Sequence, residues 1–294
     1  MQEIKVGGPI QVQCVYGRDH VKAIQACLIP ALRRSSRRPV KLMTINYDPT
    51  STERLSSGNY DGVEVVDWPN QAGAVTGFAA NHNLLFQVSS PEDYFIIINP
   101  DCIPQPDSLD ILAARKERSF ETIGIVEGRQ WPFEHPKEYD GQTGETPWAS
   151  GAFALFDARF YQKVGGMDEI YFMYVEDVDI SWQAWLNNYA VIYEPKAVTY
   201  HFSGGQFYRP DLPGYERFFS LRNFLIISRK FFGPKGEAKA LKIIKKTGDR
   251  ALIKHIIDEY RLKVGDGRRF GQALKRHHWI KITGLNLYHR LRDI

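Results

Sequence analysis

Carboxylates gather at two places in this sequence where they could act on a substrate. One is Glu176-Asp177-Val178-Asp179, which opens a helix-like run directly after the aromatic stretch Tyr171-Phe172-Met173-Tyr174. The other is Asp101, which ends the apolar run Phe95-Ile96-Ile97-Ile98-Asn99-Pro100. A late histidine, His201, closes a further strand-like segment. A strand ending in Asp is a natural station for a metal or a phosphate. Carboxylates packed together repel one another's charge, which raises at least one pKa toward the range a general base needs. These residue types suggest metal-assisted group transfer with a carboxylate base. Spacing alone does not choose among Glu176, Asp177 and Asp179. Acidic residues in a first helical turn also stabilise the helix dipole without doing chemistry.

The elements that must position these residues read as alternating strands and helices. Strands are expected at Ile10 to Tyr16, Val40 to Asn46, Val63 to Val66 and Tyr94 to Ile98. Helices are expected at Val21 to Arg34 and Ala72 to Val88. Further strand candidates are Thr122 to Val126, Ala152 to Phe156, Ala190 to Tyr193 and Ala197 to His201. The alternation predicts an α/β fold with a mostly parallel central sheet flanked by helices. The continuous apolar run at Tyr94 to Ile98 suits a sheet centre buried on both faces. Ligands of open α/β sheets sit at the carboxyl ends of strands. Those ends carry Tyr16-Gly17-Arg18-Asp19, Asp48-Pro49-Thr50-Ser51-Thr52-Glu53 and Asn99-Pro100-Asp101. The Pro- and Gly-bearing segment Trp131 to Thr146 is long enough to be a functional loop. No GxGxxG follows the first strand and no GxxxxGK[ST] is present, against a dinucleotide dehydrogenase and a P-loop nucleotidase.

The 294 residues allow one large α/β domain with an appendage. Three widely spaced cysteines, Cys14, Cys27 and Cys102, argue against a disulfide framework and for a reducing compartment. No signal peptide or spanning apolar run is visible, so a cytoplasmic protein is expected. The net charge of +4 is unevenly divided. Residues 1–214 hold 18 Lys and Arg against 27 Asp and Glu, and residues 215–294 hold 20 against 7, so the halves carry −9 and +13. Two parts are expected: a catalytic domain over 1–214 and a basic, mainly helical region over 215–294. Phe218 to Phe232 is apolar with regularly placed cations, too short and too charged to span a bilayer. It suits either packing onto the catalytic domain, a dimer interface, or a peripheral contact with the cytoplasmic face of a membrane, where Phe218, Phe224 and Phe231 would insert. Nucleic-acid binding is not expected, because the aromatics there are not interleaved for stacking.

Six motifs in order resemble the inverting nucleotide-sugar glycosyltransferases of family 2, which have the GT-A fold. They are the turn at Val15-Tyr16-Gly17-Arg18, the loop Asp48 to Glu53, Gly77-Phe78-Ala79-Ala80-Asn81-His82-Asn83, Asn99-Pro100-Asp101, Trp148-Ala149-Ser150-Gly151-Ala152 and Val164-Gly165-Gly166-Met167-Asp168-Glu169. The Asn-Pro-Asp form points to a rhamnosyltransferase-like branch. The resemblance covers about residues 10 to 205.

The resemblance implies roles. Asp177 is the catalytic base. Asp101 and His201 hold a divalent cation, Mn²⁺ or Mg²⁺, that bridges the donor diphosphate. Tyr16, Arg18, Asp48, Asn83, Asn99 and Asp101 bind the donor, with Asp48 accepting from the nucleotide base. Trp148 and Glu176 face the acceptor. The donor is a dTDP- or UDP-linked sugar and the acceptor a glycan or a lipid-linked sugar of a bacterial surface polysaccharide. Asn99 departs from the usual acidic residue, as do Gly17, Pro49 and Glu53 from their motifs. Two other functions fit the strand-end carboxylates: a sugar-nucleotide nucleotidyltransferase, and a nucleotide-sugar-binding module that has lost catalysis.

Overall fold

The computed structural model describes residues 8–119, 122–135, 137–201, 214–265, 270 and 277–282. In chain order, β1 (Ile10–Tyr16) leads through a short 3-10 turn (Arg18–His20) into α1 (Val21–Ala23), a π turn (Ile24–Leu28) and α2 (Ile29–Ser35). Then come β2 (Val40–Asn46), β3 (Gly58–Tyr60), β4 (Val63–Trp68), α3 (Phe78–Ser89), β5 (Tyr94–Ile98), β6 (Cys102–Pro104) and α4 (Ser108–Glu117). β7 (Ile123–Trp131), β8 (Phe153–Asp157), α5 (Ala158–Val164), α6 (Glu176–Leu186) and β9 (Ala190–His201) complete the sheet and its cover. α7 (Gly214–Lys245) and α8 (Arg250–Val264) follow.

The described strands form one nine-stranded sheet in the order β3-β4-β2-β1-β5-β8-β7-β9-β6. β4, β2, β1 and β5 are mutually parallel, as expected for this half. β8 enters antiparallel between β5 and β7, so the sheet as a whole is mixed. The central strands earn their place by composition. Phe95, Ile96, Ile97 and Ile98 are all fully buried, and the β-branched run suits a pleat covered on both faces. α3 packs over β1 and β2, and α4 over β7 and β9. Asp157 caps α5 by accepting from the Phe160 N–H at 2.6 Å, and Gly165 ends it at φ 79°, a conformation glycine adopts without strain.

β9 is one strand although Pro195 sits inside it. The register shifts between Gly128–Glu194 and Arg129–Val198, so the proline falls in an irregularity where no ladder bond is needed. The helix expected from Ala72 begins only at Phe78. Asn70 and Thr76 instead tie the preceding segment to the Tyr47 carbonyl.

The C-terminal helices do not stand apart from the sheet domain. Leu221, Phe224, Leu225, Ile227 and Phe231 of α7 form one apolar cluster with Trp148, Tyr171, Val178 and Trp182. α7 bends at Gly233, whose φ of 63° and ψ of −155° are not helical, and Pro234 starts the second segment. Phe224 and Phe231 are buried in this cluster, Phe231 edge-on to Trp182. The expected insertion of these two rings into a bilayer is therefore excluded: they already pack inside the protein.

Candidate active site

Asp101 and His201 lie far apart in sequence and meet through strand pairing. β6 begins one residue after Asp101 and pairs antiparallel with the end of β9, with Cys102 opposite His201. His201 Nε2 stands 3.5 Å from Asp101 Oδ1. On its other side, Nδ1 of His201 is 2.7 Å from Oε1 of the buried Gln130. An amide oxygen only accepts, so Nδ1 donates to Gln130 and Nε2 is the nitrogen on the Asp101 side. A histidine oriented by a hydrogen bond from one ring nitrogen, with the other beside a carboxylate, is how metal-ligating histidines are commonly held. Asp101, Cys102 and His201 form a cluster whose donor atoms lie within 4.8 Å of one another. Burial, then the Asp101 charge, pushes the Cys102 thiol well up, and its Sγ contacts the Ala152 carbonyl at 3.4 Å. The raised thiol leaves the carboxylate and the imidazole as the readier donors. That pair fits Mn²⁺ better than Mg²⁺.

Asp177 sits in the first turn of α6, partly exposed. Its Oδ2 accepts from the Gly151 N–H at 3.1 Å and its Oδ1 from the Val178 N–H at 2.8 Å. Burial raises its pKa above the usual carboxylate range, while these N–H groups and Lys137 counter the rise. Ser181, one turn along α6, accepts from the Ala149 N–H at 3.0 Å and so lays the Ala149–Gly151 segment along the helix. One residue further, the Ala152 carbonyl accepts from the Asn99 N–H at 2.9 Å. The candidate base and the Asn99-Pro100-Asp101 turn are thus fastened to the same short backbone segment.

The loop that delivers Asp177 is unusual. Phe172, Tyr174 and Val175 have φ of 66°, 68° and 76°. Such values in non-glycine residues cost on the order of 1–3 kcal/mol each and persist only where the surroundings enforce them. The Phe172 carbonyl is held by the Phe78 N–H at 2.7 Å. Gly77 makes room for it: a Cβ there would lie 2.5 Å from that oxygen.

The carboxylates beside Asp177 divide in role. Asp179 is buried, accepts from the Tyr171 hydroxyl at 2.5 Å and pairs with Lys230 of α7 at 2.7 Å, so it is a structural ion. Glu176 is 5% exposed, and among the described residues its Oε2 has no hydrogen-bond partner. Burial first, and the charge of Asp177 second, push its pKa up to about 8. Lys137, from the Trp131 to Thr146 loop, pairs with the buried Glu127 and donates to the Trp148 carbonyl at 3.0 Å. Its ammonium also lies 4.4 Å from the centre of the Trp148 ring.

Several expected contacts are corrected by burial. Tyr16 is fully buried; its hydroxyl donates to Asp67 at 3.0 Å and accepts from the Leu55 N–H at 2.9 Å. It braces the loop after β2 rather than touching the donor. Asn83 is equally committed: its amide donates to the Met167 carbonyl and Glu169, and its oxygen accepts from Tyr161 and the Met167 N–H. It fastens the Gly166 turn. Trp148 is 2% exposed and belongs to the apolar cluster, so it does not face an acceptor. Glu176 lies inside the loop wall, next to Asp177. Asp48 closes a turn onto the Thr50 N–H at 2.9 Å and hydroxyl at 2.7 Å, which lower its pKa, and stands at the carboxyl end of β2. Arg18 is exposed beside Asp19 at the end of β1.

Sequence reading missed Glu127, Lys137, Gln130, Lys230 and Asn223. Glu127 had a signal, a carboxylate ending the apolar run Ile123 to Val126, like Asp101. The others are polar residues whose partners are remote in sequence.

No protein-family model matches the chain. Solved structures share its fold. A mannosyltransferase from Pyrobaculum calidifontis, solved with GDP-Man and Mn²⁺, superimposes with a TM-score of 0.51 at 12% identity, covering 90% of this chain and 85% of that one. GalNAc-T7, solved with UDP, GalNAc and Mn²⁺, gives 0.58 at 11% identity over 91% of this chain and 57% of that one. The fold is therefore the one these glycosyltransferases share.

Among curated proteins the chain is similar to rhamnosyltransferases. It is 24% identical over 179 residues to rhamnosyltransferase WbbL of Escherichia coli K12, a match spanning 49% of this chain and 66% of that protein. It is 26% identical over 217 residues to an N-acetylglucosaminyl-diphospho-decaprenol L-rhamnosyltransferase of Mycobacterium tuberculosis, spanning 59% and 70%. The chain thus spans about two thirds of the length of these relatives.

Proposed function

We propose that this chain is an inverting, metal-dependent rhamnosyltransferase. In this reading it moves the sugar from a dTDP-linked donor to a hydroxyl of a lipid-linked or glycan acceptor in surface polysaccharide synthesis. The observation that carries it is the shared fastening of Asp177 and the Asn99-Pro100-Asp101 turn to Gly151 and Ala152. Base and diphosphate station are held in one frame, as a single direct displacement requires. UDP-linked sugars remain the comparison donors.

Asp177 takes the proton of the acceptor hydroxyl as that oxygen attacks the anomeric carbon. The bond to the diphosphate oxygen breaks on the opposite face, so the anomeric centre inverts. Asp48 and Arg18, at the ends of β2 and β1, border the nucleoside end. A divalent ion held by Asp101 and His201 would supply charge stabilisation to the leaving diphosphate. Asn99 contributes its position in the turn rather than a charge.

The catalytic part is 1–214 and the basic, mainly helical part 215–294, whose α7 packs against the catalytic part. No helix among the described residues is long and apolar enough to cross a membrane. Contact with an anionic membrane face is assigned to the cations of the basic part, and the protein to the cytoplasmic side.

Asp177→Asn tests the assignment. It should leave donor binding intact and lower transfer by roughly 10²–10⁴-fold, the contribution typical of a general base. The acid limb of kcat/KM should lie above the ordinary carboxylate range, since burial raises the Asp177 pKa. Transfer by Asp177→Asn at close to the wild-type rate would show that another group takes the proton.

A further inference from the structure

We propose that Asn223, oriented by Arg222, is a positioning residue for the Asp177 carboxylate; this rests on the reading of Asp177 as the base. Asn223 lies on α7, remote in sequence from α6, and is fully buried. Its amide nitrogen points at three backbone carbonyls of the strained loop: Tyr171 at 3.0 Å, Met173 at 2.6 Å and Tyr174 at 2.7 Å. An amide has two hydrogens, so these three acceptors share them.

The amide could face the loop with either end. Arg222 decides which. Its Nε and Nη2 donate to Asn223 Oδ1 at 3.0 and 2.8 Å, which forces the nitrogen toward the loop. Nη2 also reaches the Tyr171 carbonyl at 2.6 Å. The guanidinium is buried and lies 4.8 Å from the centre of the Phe219 ring. Burial lowers its pKa to about 10, which leaves it charged at neutral pH.

The carbonyls gripped in this way flank Phe172, Tyr174 and Val175, the residues at positive φ. Val175 is β-branched, a type that does not hold this conformation unaided. Released from the grip, the segment relaxes toward ordinary backbone angles. The next residues are Glu176 and Asp177, so the carboxylate would turn away from the Gly151 N–H. Asn223 touches neither substrate nor the reacting atoms; it acts through the loop.

The test uses the full chain carrying Asn223→Ala or the isosteric Asn223→Asp, the latter serving where the alanine variant does not fold. Hydrogen exchange of residues 171–178 is the first readout, because it needs no substrate. These amides should exchange at least roughly tenfold faster, while those of β1, β2 and β5 keep their protection, as local opening predicts. Turnover of dTDP-rhamnose with a polyprenyl-diphospho-N-acetylglucosamine probe is the second. kcat should fall by roughly 10²-fold with donor KM little changed, and the same change in an Asp177→Asn background should add almost nothing, since the two act as a unit. Unchanged exchange at 171–178 in a folded variant would overturn the proposal, as would a kcat loss that multiplies in full on Asp177→Asn. If Asp177→Asn itself turned over normally, the base assignment would fail, and the exchange result would still decide whether Asn223 sets this loop.

Discussion

Glu176 offers a sharp quantitative prediction, because it is a carboxylate the fold keeps neutral. It is almost fully buried, its Oε2 lacks a partner among the described residues, and Asp177 is its neighbour. Burial and that charge move its pKa from 4.5 to about 8. The sign follows from proton linkage. Below pH 4.5 the carboxyl is protonated in both folded and unfolded chains. Between 4.5 and about 8 the unfolded chain loses the proton while the folded one keeps it, so stability falls as pH rises. Above about 8 both are ionised and the fall stops. At roughly 1.36 kcal/mol per tenfold change in proton affinity, the full span corresponds to about 4–5 kcal/mol. Relaxation of the folded protein reduces this, so we expect about 3 kcal/mol or more.

Glu176→Gln removes the ionisation while keeping shape and hydrogen-bonding ends. Chemical unfolding at pH 5, 6, 7, 8 and 9 should give nearly equal stabilities for the two proteins at pH 5. The gap should then widen in favour of the Gln variant and level off above about pH 8. Adding Asp177→Asn should narrow the gap, because the neighbouring charge is the second cause of the shift. Parallel stability curves for wild type and Glu176→Gln across pH 5–9 would refute the picture of a neutral, buried Glu176.

Removal of divalent ions should abolish transfer and Mn²⁺ should restore it, with Asp101→Ala and His201→Ala each weakening Mn²⁺ binding measured by calorimetry; full transfer in excess chelator would exclude the metal. Lys230→Met leaves Asp179 buried without its 2.7 Å partner and should cost about 3–5 kcal/mol in unfolding, recovered in part by Asp179→Asn; a loss under about 1 kcal/mol would show that the pair is solvated. Charge reversal at the exposed cations Lys245, Arg250 and Arg261, which line one groove where α7 meets α8, should weaken binding to anionic vesicles by about 2 kcal/mol each at low salt, since each loses one attraction and gains one repulsion. Equal vesicle binding by wild type and the reversed variant would remove these residues from any membrane contact.

The sheet was legible where physics acts locally. β1, β2 and β5 lie where apolar, β-branched runs predict them. α4 escaped notice because its buried Ser108, Leu109, Leu112 and Ala113 are interleaved with Asp110, Arg115 and Lys116, which blurs the apolar face. β3 and β6 have three residues each, too few for any period to register. Pro195 split β9 in the sequence reading because a proline inside a strand is tolerated only at an irregularity, and no sequence pattern marks one. At the site, strand pairing brings Asp101 and His201 together, while Asp177 lies in the first turn of α6. Tyr16, Asn83 and Trp148 share a different fate. Their position in a motif says that they matter near a ligand, but not whether a side chain faces the ligand or braces the backbone that does.

The charge division has the same ambiguity, and the structure divides it in two. A net charge counts every cation alike, wherever it points. Lys230 reaches inward to Asp179 and Asp168, both at 2.7 Å, and Arg222 is buried against the loop of the candidate base. Lys281 crosses to Glu138 at 2.7 Å. These cations belong to the basic part yet answer carboxylates and carbonyls of the acidic part, so part of the asymmetry is settled within the molecule. Apolar packing runs across the same boundary through Trp182 and Phe231. A chain cut near Gly214 would therefore uncover that cluster and release the Asp177 loop together. Loss of vesicle binding by such a fragment would say nothing specific about membranes. Surface reversals at Lys245, Arg250 and Arg261, which leave Arg222, Asn223 and Lys230 in place, separate attachment from catalysis because they change only charges that solvent already sees.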